Sequence, residues 1–279
     1  MSTKTFAPKE IDFKGFTQDN SSTVTVKQKG QEINLKKDGG QWRVNEFSIS
    51  ASALKDLFEG LKNLEPLSLA SRNLEKEEDF EIKPDMGTIL SLKKGETVQD
   101  FVLGKTGNVW GTFYLKKQDS KNIYLVKGSL KEVLGHDLSW WRDKTVVKID
   151  PAVISSIVIK DPKRLITFTK DKDSKWSALS GAQKVVLEQA RLDRILNALN
   201  PLEAFDFAEP DEDKALKSGK NVTNLIFSAS DGSIAVELSF LKKDDAWLVK
   251  ANSQDTVYKI SNGKIEDILV SYDELFKKK

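Results

Sequence analysis

The chain of 279 residues has one histidine, His136, and no cysteine, so imidazole chemistry has a single place to stand. Without thiols there is no disulfide, no thiolate metal site and no cysteine nucleophile. A zinc centre would have one nitrogen ligand and no sulfur. His136 sits in Gly135-His136-Asp137, after a short apolar run. As a catalytic base it would need a nucleophile and an orienting acid from elsewhere in the fold. The sequence favours a loop histidine. Leu103-Gly104-Lys105-Thr106 shares the Gly-Lys-Thr order of a phosphate loop, but that pattern requires a glycine at position 99, where Gln99 stands. The expected alternative is a strand end turning through Gly104 and Gly107. Two acidic runs, Glu75, Glu77, Glu78, Asp79 and Glu209, Asp211, Glu212, Asp213, lack the spaced oxygens and central glycine of a calcium loop. They are expected to be exposed connections. No pair of acids stands out for glycosidase-type work, which needs two carboxyls facing each other across a cleft. No enzymatic activity, cofactor or metal is expected.

Trp140-Trp141-Arg142-Asp143 has the aromatic and arginine composition of interface hot spots. In an extended backbone adjacent side chains point to opposite sides. One tryptophan is therefore expected to seal the join between two halves of the chain, with Arg142 and Asp143 paired to neighbours and the other tryptophan exposed. Trp140, Trp141 and Arg142 are the expected partner-binding residues.

The elements that must position these residues occur twice. Leu57, Leu61, Leu64, Pro66 and Leu67 match Leu192, Leu196, Leu199, Pro201 and Leu202 at a constant offset of 135. Leucines three and four apart share one helix face, and a helix is expected over residues 54–67, closed by Pro66. Ahead of it, Val24 and Val26, Ile33 and Leu35, then Trp42 and Val44 alternate between glycine turns, the pattern of a β-meander. Strands are expected at 89–92, 101–103, 110–115 and 123–126, and a short helix around Leu130, Val133 and Leu134. The second half restates this order, with Trp176 answering Trp42 and Tyr258 answering Tyr124, each 134 positions on. Its helix is expected to gain an N-terminal extension over 185–190. Asp171-Lys172-Asp173 reads as a hairpin turn. The expected architecture is α+β: an arm at 1–21, partly docked through Phe6, Phe13 and Phe16, then two internally duplicated halves at 22–144 and 145–279. Each half is expected to be a mainly antiparallel sheet covered by one longer and one short helix. The segment 145–152 is the expected join, packed and not mobile.

Charged residues make up 31% of the chain and hydrophobic ones 39%, with a net charge of +2, the profile of a folded soluble protein. The near-balance argues against a dedicated nucleic-acid binder. No run reaches the roughly 20 apolar residues of a membrane-spanning helix. The first residues, MSTKTFAPKEIDFKGF, have neither the basic start nor the apolar core of a signal peptide. The terminal Phe276-Lys277-Lys278-Lys279 is expected to be a solvated tail.

Trp42-Arg43-Val44 before a leucine-rich helix, Val102-Leu103-Gly104-Lys105, Ile123-Tyr124-Leu125-Val126, and Trp141-Arg142-Asp143-Lys144 followed by Val146-Val147 together resemble the family catalogued as domain of unknown function 4340. The likeness runs from about Val24 to the C-terminus. It implies an extracytoplasmic, periplasmic setting in the bacterial cell envelope, a non-catalytic role, and a link with gliding-motility-type ABC-transporter auxiliary proteins. Members often carry one N-terminal membrane helix, which this sequence lacks, so membrane association would run through an anchor absent from this chain. The first expectation for function is a protein-interaction module of an envelope complex, an ABC-transporter or motility accessory with transporter subunits as partners. The alternative is a binding protein for a small envelope ligand, a glycan or lipid fragment, held in a cleft between the halves and lined by Trp110, Trp140 or Trp141.

Overall fold

A computed structural model describes residues 8–28, 30–269 and 275. The chain divides into two compact units, Met1–Asp143 and Lys144–Lys279.

The first unit contains β1 (Thr23–Gln28), β2 (Gln31–Asp38), β3 (Gln41–Val44), β4 (Phe47–Ser48), α1 (Ala51–Lys62), β5 (Glu65–Ser71), β6 (Thr88–Lys94), β7 (Thr97–Thr106), β8 (Thr112–Lys117), β9 (Ile123–Lys127), α2 (Leu130–Leu134) and α3 (Leu138–Trp141). Its nine strands form one antiparallel sheet in the order β4-β3-β2-β1-β6-β7-β8-β9-β5. The alternation in the sequence sets its inner face. Val24, Val26, Ile33, Leu35, Leu90 and Leu92 are all fully buried. The tight turn from β2 to β3 needs two consecutive residues at positive φ, supplied by Gly39 (+54°) and Gly40 (+86°). Helix α1 starts where the Ser50 side chain accepts the Ala53 N–H and lays Leu54, Leu57, Phe58 and Leu61 on that face. The N-terminal segment packs Ile11, Phe13 and Phe16 into the same core, with Phe13 and Phe101 rings 4.5 Å apart. Phe6 lies outside the described residues.

The second unit contains β10 (Thr145–Val147), β11 (Ile154–Lys160), β12 (Leu165–Lys170), β13 (Trp176–Ser180), β14 (Gln183–Val186), α4 (Gln189–Ala198), β15 (Leu202–Glu203), β16 (Asp206–Phe207), α5 (Pro210–Lys217), β17 (Thr223–Ala229), β18 (Ile234–Lys243), β19 (Ala246–Ala251), β20 (Tyr258–Ser261) and α6 (Asn262–Ile268). Nine of its strands form a sheet in the order β14-β13-β12-β11-β17-β18-β19-β20-β16, and β10 pairs with β15 apart from it. Helix α4 places Leu192, Ile195 and Leu196 in a core with Ile157, Phe168, Trp176 and Phe227. The architecture is thus α+β with mainly antiparallel sheets.

Several local expectations are corrected. Each unit carries three α-helices among the described residues, not one long and one short. Helix α1 ends at Lys62, and Pro66 lies in β5, an edge strand that pairs only with β9 and so tolerates a residue without an N–H. Residues 185 and 186 are in strand β14, as suits two adjacent β-branched valines, and α4 begins only at Gln189. Trp110 precedes β8 in a turn, and Gly104 sits inside β7. The second acidic run is the first turn of α5, opened by Pro210. The expected hairpin turn at Asp171 is present, its carboxylate accepting the N–H groups of Asp173 and Lys175 at 2.9 and 2.8 Å.

Candidate functional site

Trp140 and Trp141 do not lie on an extended segment, which begins only at Arg142. Asp137 accepts the Trp140 N–H at 3.0 Å and starts α3, so the two tryptophans leave one helical turn in different directions. Trp141 is fully buried in the core of the first unit, which removes it from any surface a partner could touch. Trp140 is half-buried, stacked on His136 at 4.0 Å and edge-on to Trp141 at 5.0 Å. The half-buried Arg142 lies 3.7 Å from the centre of the exposed Phe47 ring. The backbone here extends the sheet: the Ser50 N–H donates to the Trp141 carbonyl at 2.8 Å, and the Asp143 N–H to the Ser48 carbonyl at 2.9 Å. Trp141-Arg142-Asp143 therefore covers the β4 edge of the first sheet. His136 meets an aromatic ring there, and among the described residues no group of three or more His, Asp or Glu side chains is placed to hold a metal ion.

The glycine of the Gly-Lys-Thr sequence has a packing reason. A Cβ at Gly104 would stand 2.2 Å from the carbonyl oxygen of Phe80, because residues 77–87 cross the outer face of the first sheet there. Ile82, Val102 and Ile123 are buried beneath that crossing, with Phe80 and Tyr114 packed against them. The acidic runs help to hold both outer faces. Glu77 pairs with Lys116 of β8, and Glu212 pairs with Lys259 of β20 at 2.7 Å, all four side chains being at most 21% exposed. Burial would raise the Glu212 carboxyl, but hydrogen bonds from Lys259 and the Glu209 N–H hold it below its ordinary range. The Lys259 ammonium is correspondingly raised by Glu212. Leu216 of α5 packs with Leu248 and Val257 on this face. One acid of each run is thus a clamp to the sheet, which the expectation of exposed connections missed.

A further polar cluster ties the N-terminal segment to the first sheet. Glu10 accepts hydrogen bonds from Tyr124 and from Asn122, the latter at 2.5 Å. Burial, with Glu10 beside it, pushes the Tyr124 hydroxyl up to about 12.

Trp110 is 92% exposed and the neighbouring Val109 63%, at the tip of the β7–β8 connection. The tip is braced. Gly107 N–H donates to the Thr112 carbonyl at 2.8 Å, and Gly128 N–H to the Gly111 carbonyl at 2.9 Å. Thr112, itself buried, donates to the Val109 carbonyl from its N–H at 3.1 Å and from its hydroxyl at 2.5 Å. A loop so tied has little backbone entropy left to lose on contact. The glycines on both sides, Gly107 and Gly111, were the available signal that Trp110 belongs to a turn.

A family model described as Domain of unknown function (DUF4340) matches residues 42–221. No curated protein and no solved structure matches the chain.

Proposed function

We propose that this chain, which belongs to the family described as Domain of unknown function (DUF4340), is a non-enzymatic protein-interaction module of a bacterial envelope complex. The observation that carries the reading is the braced tip of the β7–β8 connection, where Val109 and Trp110 face solvent. Tryptophan contributes disproportionately to protein interfaces because it buries a large area at low cost in side-chain entropy. The envelope setting, with an ABC-transporter or motility assembly as host, is drawn from the family likeness. The two units share one strand order along nine strands, and we read them as products of an internal duplication, one of which has kept an exposed aromatic tip.

The test is affinity capture from the native host with the whole chain, comparing wild type, Trp110→Phe and Trp110→Ala. The reading expects an envelope-complex subunit to be retained by wild type, partly by the Phe variant, and lost with Ala at unchanged circular dichroism. Equal retention by all three would overturn it.

A further inference from the structure

Helix α5 covers only part of the outer face of the second sheet, where Leu216 packs on Leu248 and Val257. Across the six strands from β14 to β18, the residues that alternate with the buried Ile157, Phe168, Ala178 and Phe227 point away from the core. The pairing registers align them in two rows. One row runs Lys184, Leu179, Thr167, Val158, Ile226, Glu237. The other runs Val186, Ser177, Thr169, Ser156, Ser228, Ile234. Only the two ends of the first row are charged. Val186 is 72% exposed, Ile234 57% and Leu179 46%, and nothing among the described residues shields them.

Each row is complementary to its own reverse. A two-fold axis running along the strands between β11 and β12 turns a second copy onto this face and reverses both rows. Val186 of one copy then meets Ile234 of the other, and Leu179 meets Ile226, so apolar side chains lie on apolar ones. The short side chains meet each other, Ser177 on Ser228 and Thr169 on Ser156, with Thr167 on Val158, and they let the two sheets approach. At the ends, Lys184 meets Glu237. Neither of these two has a side-chain partner among the described residues. They stand five strand spacings apart, about 24 Å, too far to pair within one copy. An isologous contact requires this reciprocity, residue i on j and j on i. An axis along the strands also leaves the two sheets nearly aligned, the usual face-to-face packing.

The size of the face suits a pair. Six strands at about 4.8 Å, with three outward residues each at about 6.8 Å, give about 600 Å² per copy and about 1,200 Å² in the pair, at the lower end of specific interfaces. The matching row of the first sheet could not be used in this way. It places Arg43, Lys36 and Lys93 around Thr23, three cations that would meet like charge in a second copy.

From these features we propose that the outer face of β14, β13, β12, β11, β17 and β18 is a homodimer interface, in which two copies pack face to face with Lys184 of each against Glu237 of the other. The Trp110 tip takes no part in this contact, so the dimer goes beyond the reading of the chain as a module that binds other proteins.

The experiment is sedimentation equilibrium of the whole chain across micromolar concentrations, with four variants. Wild type should form a dimer. Lys184→Glu and Glu237→Lys, which each put like charges at both ends of the contact, should weaken dimerisation roughly tenfold or more. Combining the two should restore it to within a few-fold, since the exchanged charges again meet across the axis. Leu179→Arg, on an exposed side chain, should abolish the dimer at unchanged circular dichroism. Arg43→Glu, on the first sheet, should dimerise as wild type does. A wild type that stays monomeric throughout would overturn the assignment and leave the face to a different protein. A doubly exchanged variant no tighter than the single ones, or a Leu179→Arg dimer of wild-type affinity, would also overturn it. Trp110→Ala should dimerise normally, so loss of the dimer does not bear on the Trp110 tip, and loss of partner capture at Trp110 does not bear on the dimer.

Discussion

Replacing Gly104 with alanine should detach the segment that crosses the outer face of the first sheet. The added Cβ would lie 2.2 Å from the Phe80 carbonyl oxygen and 3.3 Å from both the Glu81 carbonyl oxygen and the Ile82 side chain. The nearest of these is backbone, so relief requires a shift of more than about 1 Å, and closely packed interiors resist such shifts. Two losses follow. The Lys105 N–H gives up its hydrogen bond to Phe80, now 2.9 Å, worth about 1 kcal/mol. Ile82, fully buried at present, becomes partly exposed, at a cost of up to about 1.5–3 kcal/mol. We expect Gly104→Ala to lower stability by roughly 2–4 kcal/mol, within the first unit's unfolding transition in urea. Amide exchange should quicken at Lys105 and Ile82. Gly15→Ala is the control, since a Cβ there meets nothing within 4 Å. An unchanged urea midpoint together with undiminished protection of the Lys105 amide would show that the crossing does not depend on Gly104.

Trp141→Ala should cost about 3–5 kcal/mol, as expected for a fully buried indole, and be visible as a lowered urea midpoint. Trp141→Phe should cost far less, because the buried indole N–H makes no hydrogen bond among the described residues. Trp110→Ala, at an exposed tip, should change stability by no more than about 0.5 kcal/mol, so a large loss would contradict the exposure of that side chain. The Glu212 carboxyl is held below its ordinary value, so its contribution is complete above about pH 4.3 and is lost as pH falls through the depressed value. Glu212→Gln should therefore be less stable by about 1 kcal/mol at pH 7 and show a flatter acid limb when midpoints are measured against pH. Tyr124 is raised, so what it contributes is complete below about pH 10 and is lost as pH climbs towards about 12. Absorbance titration should show a late-titrating tyrosine, and Glu10→Gln should bring its titration earlier.

Periodicity carried most of the fold. Val24, Val26, Ile33 and Leu35 alternate because one face of β1 and β2 is buried, and Leu54, Leu57 and Leu61 recur at helical spacing for the same reason in α1. Interactions between distant segments left weaker traces. Gly104 looked like a turn because the carbonyl that demands a glycine there comes from Phe80, 24 positions earlier. Glu77 and Glu212 looked like solvent-facing acids because their lysines, Lys116 and Lys259, sit on strands far along the chain. The helical turn at Trp140 and Trp141 was hidden because a four-residue helix leaves no periodicity to read, and its N-cap, Asp137, was the one local sign.

The most direct test of the proposed function is a photo-reactive amino acid placed at position 110 in the native host, followed by identification of the cross-linked protein. The account predicts one dominant adduct with a subunit of an envelope complex, a transporter or motility assembly, absent when the same group is placed on the fully buried Trp141 position in a folded variant. A position 110 that yields no adduct, or only cytosolic proteins, would contradict it.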